Sequence, residues 1–506
     1  MLATVVLLLL VIATARAADP PAAVPPPPPL EPSAVRALTE PTGHWSGFAR
    51  FEGDSTDFHL VFTPKEPGRV VMTVTLPATN LFDVPLGRVT ADGDRFRASV
   101  LSGQFVGRAG SASDPGGRFV GSFAVAGCEV TFDLARDSRP APAIVPPIAA
   151  SSSREPAWSF ATGGPIWSAP TVHDGVVYFG GNDGRIHALD AATGRARWQF
   201  QTGGPVVAKP TVTGAYLYVA SDDGWLYKIE AGSGREVWRC DTHGGAVKRA
   251  WPSLTVEGYD SQASAALVAD GLVYVGSADG HLYAIDDATG SPRWDFATGG
   301  IIRSTPVMAG NNVVVGSHDH FVYAVNARTG TLAWKHDKQD AVVSTAAVVG
   351  NQVLIGGRDS LLEALDAATG QPLWKRFYWL SWVESSAVVA GDMAYIGSSD
   401  YQKALAINAA TGRVRWTFDT DGSAWSTPAV DSSAVYIGAV GTPGYFIDHR
   451  GGFFALDRDT GRELWRICFP PIPGSFTNGV ASSPAVGGGC VYFGGLDGTF
   501  RAVKLR

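Results

Sequence analysis

Ala188-Leu189-Asp190-Ala191-Ala192-Thr193-Gly194-Arg195-Ala196-Arg197-Trp198 decides how this chain is read, because its ending keeps returning. A Thr-Gly or Ser-Gly pair stands at the same offset before Trp198, Trp238, Trp294, Trp334, Trp374, Trp416 and Trp465, and Trp158 is an eighth tryptophan without the pair. Successive tryptophans lie 40, 40, 56, 40, 40, 42 and 49 residues apart, the length of one four-stranded propeller blade. Within a unit, Ser168–Val172 reads as the inner strand, Val176–Phe179 as the second, Arg185–Leu189 as the third and Trp198–Phe200 as the outer one. Asp183-Gly184 and Thr193-Gly194 suit the hairpins between them, because glycine accepts positive φ. One blade cannot cover both of its faces, so neighbours must stack. The last unit ends at Arg506 with three strands, and Trp158–Phe160 is an outer strand without a blade. The two halves complete each other, which predicts an all-β, eight-bladed propeller over 155–506 closed by strands from both ends.

The remaining residues bound the rest of the molecule. With 506 residues, several domains are expected, and a net charge of -7 without a basic run argues against a nucleic-acid partner. Leu2–Ala13 is apolar and Ala15-Arg16-Ala17 offers a small-x-small cleavage pattern, so residues 1–17 read as a secretory signal cleaved near Ala17. That stretch is too short to span a bilayer, which takes about 20 residues, so a periplasmic or extracellular protein without a membrane span is expected. Proline-rich seams at 18–39 and 138–154 read as linkers. Between them, 40–137 alternates with the two-residue period of half-buried strands, as in Trp45–Phe51 and Val70–Leu76, and reads as a small antiparallel barrel or sandwich. Cys128, Cys240, Cys468 and Cys490 form no CxxC pair, which leaves a Cys468–Cys490 disulfide or buried free thiols.

The motif Ala-Leu-Asp-x-x-Thr-Gly-x-x-x-Trp resembles the tryptophan-docking repeat of the quinoprotein (pyrroloquinoline quinone, PQQ-like) propeller superfamily. That superfamily holds alcohol dehydrogenases and also non-catalytic members similar to the outer-membrane scaffold of the barrel assembly machinery. The resemblance covers about 350 residues and specifies the fold; packing between blades accounts for the tryptophans, so they are assigned no chemistry. For a dehydrogenase it implies a quinone at the channel mouth beside calcium, an aspartate base and often a disulfide of adjacent cysteines over the ring. This chain has no adjacent cysteines, and no aspartate matches a family motif for the base.

Departures from the repeat locate the candidate site. The long insertions fall in the loops between blades and between second and third strands, which emerge on one face. Asp241–Gln262 carries Trp251 and Tyr259, and Gly438–Gly452 carries Tyr445, Phe446, His449 and Arg450; these six are the candidate partner-binding residues. Arg376–Val383 and Phe469–Gly479 also depart. Along the inner strands, Ser168, Ser264, Ser304, Ser344, Ser426 and Ser482 align, with Ala208 and Glu384 reading as replacements. Lys209 stands where the other blades carry Ala169, Ala265, Thr305, Thr345, Ser385, Thr427 and Ser483. A charge on a crowded inner strand is costly unless paired, solvated or liganded. Glu384, Lys209 and Arg303 are therefore candidate cofactor contacts, with Glu384 a candidate calcium ligand and Trp167 and Trp425 able to stack on a planar ligand. His318-Asp319-His320 is a candidate metal turn. The leading expectation is a non-catalytic secreted propeller that binds a protein, peptide or glycan of the envelope, and no cofactor is assigned to it. The alternative is a PQQ- and calcium-dependent dehydrogenase of alcohols or sugars.

Overall fold

Trp45 and inward-facing phenylalanines on the strands that follow form the core of the first of two units, residues 1–147, the second being 148–506. A computed structural model describes residues 30–40, 43–51, 54–67, 69–77, 81–85, 89–92, 95–100, 103–109, 117–125, 128–142, 154–246, 248–253, 259–379, 381–443 and 449–505. The first unit is one nine-stranded antiparallel sheet in which His44–Phe51 pairs with both its successor Asp54–Glu66 and the last strand, Cys128–Arg136. That first-to-last pairing curls the sheet into a half-barrel whose edges are Leu81–Pro85 and Thr90–Asp92. Alternation turns Phe58, Phe105, Phe119 and Phe132 inward, and Phe105 and Phe132 stack with centroids 4.7 Å apart. The helix Pro32–Thr39, started by a proline that fits the first turn, buries Ala34 and Leu38. Trp45 Nε1 donates to Leu38 O (3.0 Å).

The second unit is the expected ring. Seven antiparallel sheets are contiguous in sequence. The eighth joins Ala485–Gly487, Cys490–Gly494 and Thr499–Lys504 to Trp158–Ala161, with Trp158 opposite Ala502. The repeated glycine and tryptophan have one physical explanation. At Gly330 φ is +71°, which any side chain resists, and an added Cβ would lie 2.8 Å from the ring of Trp294 in the preceding blade. Trp294 Nε1 donates to Ala327 O (3.1 Å) in the same turn. Seven of the eight tryptophans thus dock on the Thr-Gly or Ser-Gly turn of the next blade, as Trp158 does on Gly194 and Trp416 on Gly461; Trp465 faces the eighth blade, whose outer strand comes from the other end of the chain. Apolar second and third strands such as Val313–Val315 and Val322–Val325 fill the space between blades. No described helix is long and apolar enough to cross a membrane. Cys240, Cys468 and Cys490 are free thiols.

Candidate functional site

The inner strands converge on the ring axis, and a serine ladder fixes their register. Ser168, Ser264, Ser304, Ser344 and Ser426 each accept the N–H of the glycine twelve residues on. In the sixth blade Ser385, not Glu384, makes this bond, to Gly397 (3.0 Å). Glu384 therefore does not replace a serine, and the sequence alignment is corrected by one residue in this blade. Arg376–Val383 carries the extra residue that hid the shift. Glu384 instead shares its ring position with Trp167, Arg303 and Trp425, at the mouth. Ser386, rather than Ser385, matches Thr345 and Thr427 one step deeper.

The Asp241–Gln262 insertion lies across that mouth. Asp260 receives Arg303 through both carboxylate oxygens (Nε 2.6 Å, Nη2 2.5 Å). Arg249 grips Asp222 in the second blade (2.8 and 2.5 Å) and donates to the carbonyls of Asp260 and Gln262 (both 2.6 Å). Arg358 of the fifth blade donates to Tyr259 O and, through Nε, to Glu384 Oε1 (2.7 Å). The Trp251 ring lies 5.2 Å from Trp167 of the first blade. Tyr259 lies 6.4 Å from Trp382 and from Trp425, at the entries to the sixth and seventh blades. A segment leaving the second blade that touches the first, fourth, fifth, sixth and seventh must cross the axis, so it plugs the channel.

Below the plug is a cavity of about 520 Å³ lined by inner-strand residues, with Trp167, Arg303 and Trp425 at its mouth end and Lys209 within it. Solvent reaches Lys209, yet protein packed around the ammonium pulls its pKa below the usual lysine value.

Glu384 is 2% exposed, and its second oxygen, Oε2, is buried without a hydrogen-bond partner among the described residues. Burial, and then the Glu384 charge, push the Asp400 carboxyl up to about 7. His318 is held neutral, down to about 4, by burial and by Arg358. A carboxyl whose folded pKa exceeds its unfolded value costs nothing below the unfolded value, about 4, and loses stability as pH rises towards the folded one. Asp400→Asn is therefore expected to raise stability more at pH 8 than at pH 5, by about 2 kcal/mol. Thermal melts at the two pH values check this, and an equal gain at both would refute the coupling.

Other residues singled out from sequence fall differently. His449 is buried, 4% exposed, and bonded to Thr442 Oγ1 (2.9 Å) and Ser423 Oγ (3.2 Å), so it faces inward; burial lowers its pKa to about 4. Arg450 is exposed. Tyr445 and Phe446 lie outside the described residues. Gly438–Gly441 and Gly451–Gly452 are not loop at all, since they extend the second and third strands of the seventh blade. In His318-Asp319-His320, Asp319 is engaged by Gly299 N and Tyr323 OH, and His320 is exposed in the turn at φ +80°. Among the described residues no three metal-ligating side chains converge. Asp222, Arg358 and Asp400 escaped the sequence reading. Asp222 and Arg358 stand at the turn position held by His318 and Asn182, so aligning the turns as well as the inner strands exposes both.

The propeller has relatives in sequence and in fold. The sequence matches the family described as outer membrane protein assembly factor BamB over 148–260, 242–377 and 358–506, and the chain belongs to that family. Solved structures that share the fold include a computationally designed protein, Ika8 (21% identity, TM-score 0.54, 68% of this chain and 98% of that one). Another is the quinohemoprotein alcohol dehydrogenase of Comamonas testosteroni (15% identity, TM-score 0.53, 69% of this chain and 76% of that one). BamB of Moraxella catarrhalis also matches (21% identity, TM-score 0.44, 54% of this chain and 80% of that one). No curated protein matches the sequence.

A quinone with calcium does not fit this mouth. The two rings that would sandwich a planar group are already engaged by the insertion, Trp167 by Trp251 and Trp425 by Tyr259, both in tilted contact. Arg303 is engaged by Asp260, and one oxygen of Glu384 by Arg358.

Proposed function

We propose that this chain is an exported, non-catalytic propeller that holds a protein of the cell envelope on the inserted face of its ring. The observation carrying this reading is the plug: the place a redox cofactor would take is filled by the chain's own Trp251, Tyr259 and Asp260, each engaged by a different blade. Family membership supports a protein partner. Export rests on the apolar Leu2–Ala13 stretch and the Ala15-Arg16-Ala17 pattern. Lys248 and Arg450 are exposed on the inserted loops and are the described residues best placed to meet a partner. The first unit serves as a spacer or second contact.

Titrating the purified protein with pyrroloquinoline quinone and calcium tests it. No saturable heat or absorbance change is expected, and saturable micromolar binding would overturn the reading. In the same preparations, Lys248→Glu with Arg450→Glu should reduce the envelope protein that cross-links to the wild type. The dehydrogenase alternative draws on one observation, the partnerless buried Oε2 of Glu384 beside Asp400, which a cation would satisfy. Calcium alone decides that point: a calcium-dependent rise in melting temperature abolished by Glu384→Gln favours it, and no rise removes it.

A further inference from the structure

With the register corrected, one ring of inner-strand residues around the cavity has an unusual composition. Blades four to eight contribute Thr305, Thr345, Ser386, Thr427 and Ser483, five hydroxyls in succession. Each accepts a backbone N–H from the neighbouring blade: Thr305 from Ala265 (3.0 Å), Thr345 from Thr305 (2.9 Å), Ser386 from Thr345 (2.8 Å), Thr427 from Ser386 (3.4 Å) and Ser483 from Thr427 (2.9 Å). A hydroxyl oxygen has one proton to give. Each oxygen accepts one N–H and no donation from these five hydroxyls is made among the described residues, so each keeps its proton to donate, beside one further lone pair.

Across the ring from that arc, in the second blade, stands Lys209. Its ring neighbours are Ala169 and Ala265, whose small side chains leave it room. No hydrogen bond or ion pair engages its ammonium among the described residues, and no Asp or Glu lines the cavity. Arg303, the other cation of the lining, is neutralised by Asp260. The cavity therefore presents one uncompensated positive charge and an arc of hydroxyl donors, with no carboxylate to answer either. Solvent reaches this ammonium, so an anion can enter from solvent and meet it, and the protein packed around it supplies no counter-charge of its own.

We propose that the channel beneath the plug binds a small oxyanion, a carboxylate or a phosphate, between the Lys209 ammonium and the hydroxyl arc of blades four to eight. The volume, about 520 Å³, lies within the range of small-molecule sites, roughly 300 to 1,000 Å³. The site is separate from the inserted face, so Lys209→Met leaves partner capture intact and either reading can fail without the other.

Isothermal titration of the full chain with succinate, citrate and inorganic phosphate, at constant ionic strength, tests this. One equivalent of at least one anion is expected to bind, and whether the carboxylates or the phosphate win identifies the source. Lys209→Met should weaken binding by about tenfold to a hundredfold, as loss of a charge-assisted hydrogen bond does, while Lys209→Arg retains it. Binding should also weaken as pH rises and the ammonium loses its proton. Saturation by none of the three anions, or Lys209→Met binding as tightly as wild type, overturns the proposal. If Lys209→Met does not fold, Thr345→Val with Ser386→Ala, which keeps the lysine, decides: a loss of affinity supports the site and an unchanged one overturns it.

Discussion

Replacing Asp260 by alanine is expected to destabilise the propeller by about 3–5 kcal/mol, the cost of leaving a buried charge without its partner. Asp260 is 5% exposed and faces two guanidiniums: Arg303, in two-point contact and itself 8% exposed, and Arg249, buried at its side chain and 3.4 Å from Oδ1. Asp222 still partners Arg249 in the variant, so the unanswered charge is chiefly that of Arg303. Asp260→Asn, which keeps an acceptor and the shape but not the charge, should fall between. Denaturant unfolding followed by tryptophan fluorescence reads both effects, because Trp251 and Trp167 sit together at the mouth. A loss under about 1 kcal/mol in the alanine variant would mean that water answers Arg303 and the insertion is not anchored there.

Lys338 is the second position with a large expected effect. Its side chain is fully buried in the entry to the fifth blade, where Nζ meets Asp359 (3.0 Å), Glu363 (2.9 Å) and the Leu361 carbonyl (3.1 Å). Burial pushes Asp359 up to about 6 even with the ammonium beside it. Burial works to raise Glu363 as well, but His336 and Lys338 outweigh it and carry that carboxyl down to about 2. Lys338→Met fills the space yet leaves two buried carboxylates facing each other, at a cost of about 3–5 kcal/mol near neutral pH. Without the lysine Asp359, already above its unfolded value, rises further, and Glu363, still held by His336, rises as well. The added instability is then greatest at high pH and shrinks as pH falls towards 5 and protons replace the missing charge. Melting curves from pH 5 to 8 check the sign, and a loss independent of pH would place the effect in packing instead.

The two residues that anchor the fold in each blade were legible from spacing. Gly330 and its equivalents are required by a positive φ and by the tryptophan ring that lies where a Cβ would stand. Those demands come from a local turn and its nearest neighbour, so they repeat with the sequence. The ring closure was legible too, since the unpaired Trp158 strand and the three-stranded end could satisfy their backbone hydrogen bonds only with each other.

The mouth was legible only in part. Arg303, Glu384, Lys209, Trp167, Trp425, Trp251 and Tyr259 stood out as departures from the repeat, but what each one meets did not. Glu384 was misplaced by one residue because a lengthened loop precedes it, and register is defined by the Ser385–Gly397 bond, not by spacing. Arg358 and Asp222 were passed over because a charged turn residue looks solvated until an insertion from another blade is laid against it. His449, in a loop read as surface, turns inward to two hydroxyls. By itself, then, the sequence determined the blade, the number of blades and the face that carries the insertions, because a repeat encodes interactions between neighbours in the chain. Only the tertiary structure decided that the third blade's insertion crosses the axis, that its acid answers Arg303, and that Lys209 is left facing an arc of hydroxyls. Those pairings join residues tens to hundreds of positions apart, and closing the ring is what brings them within reach.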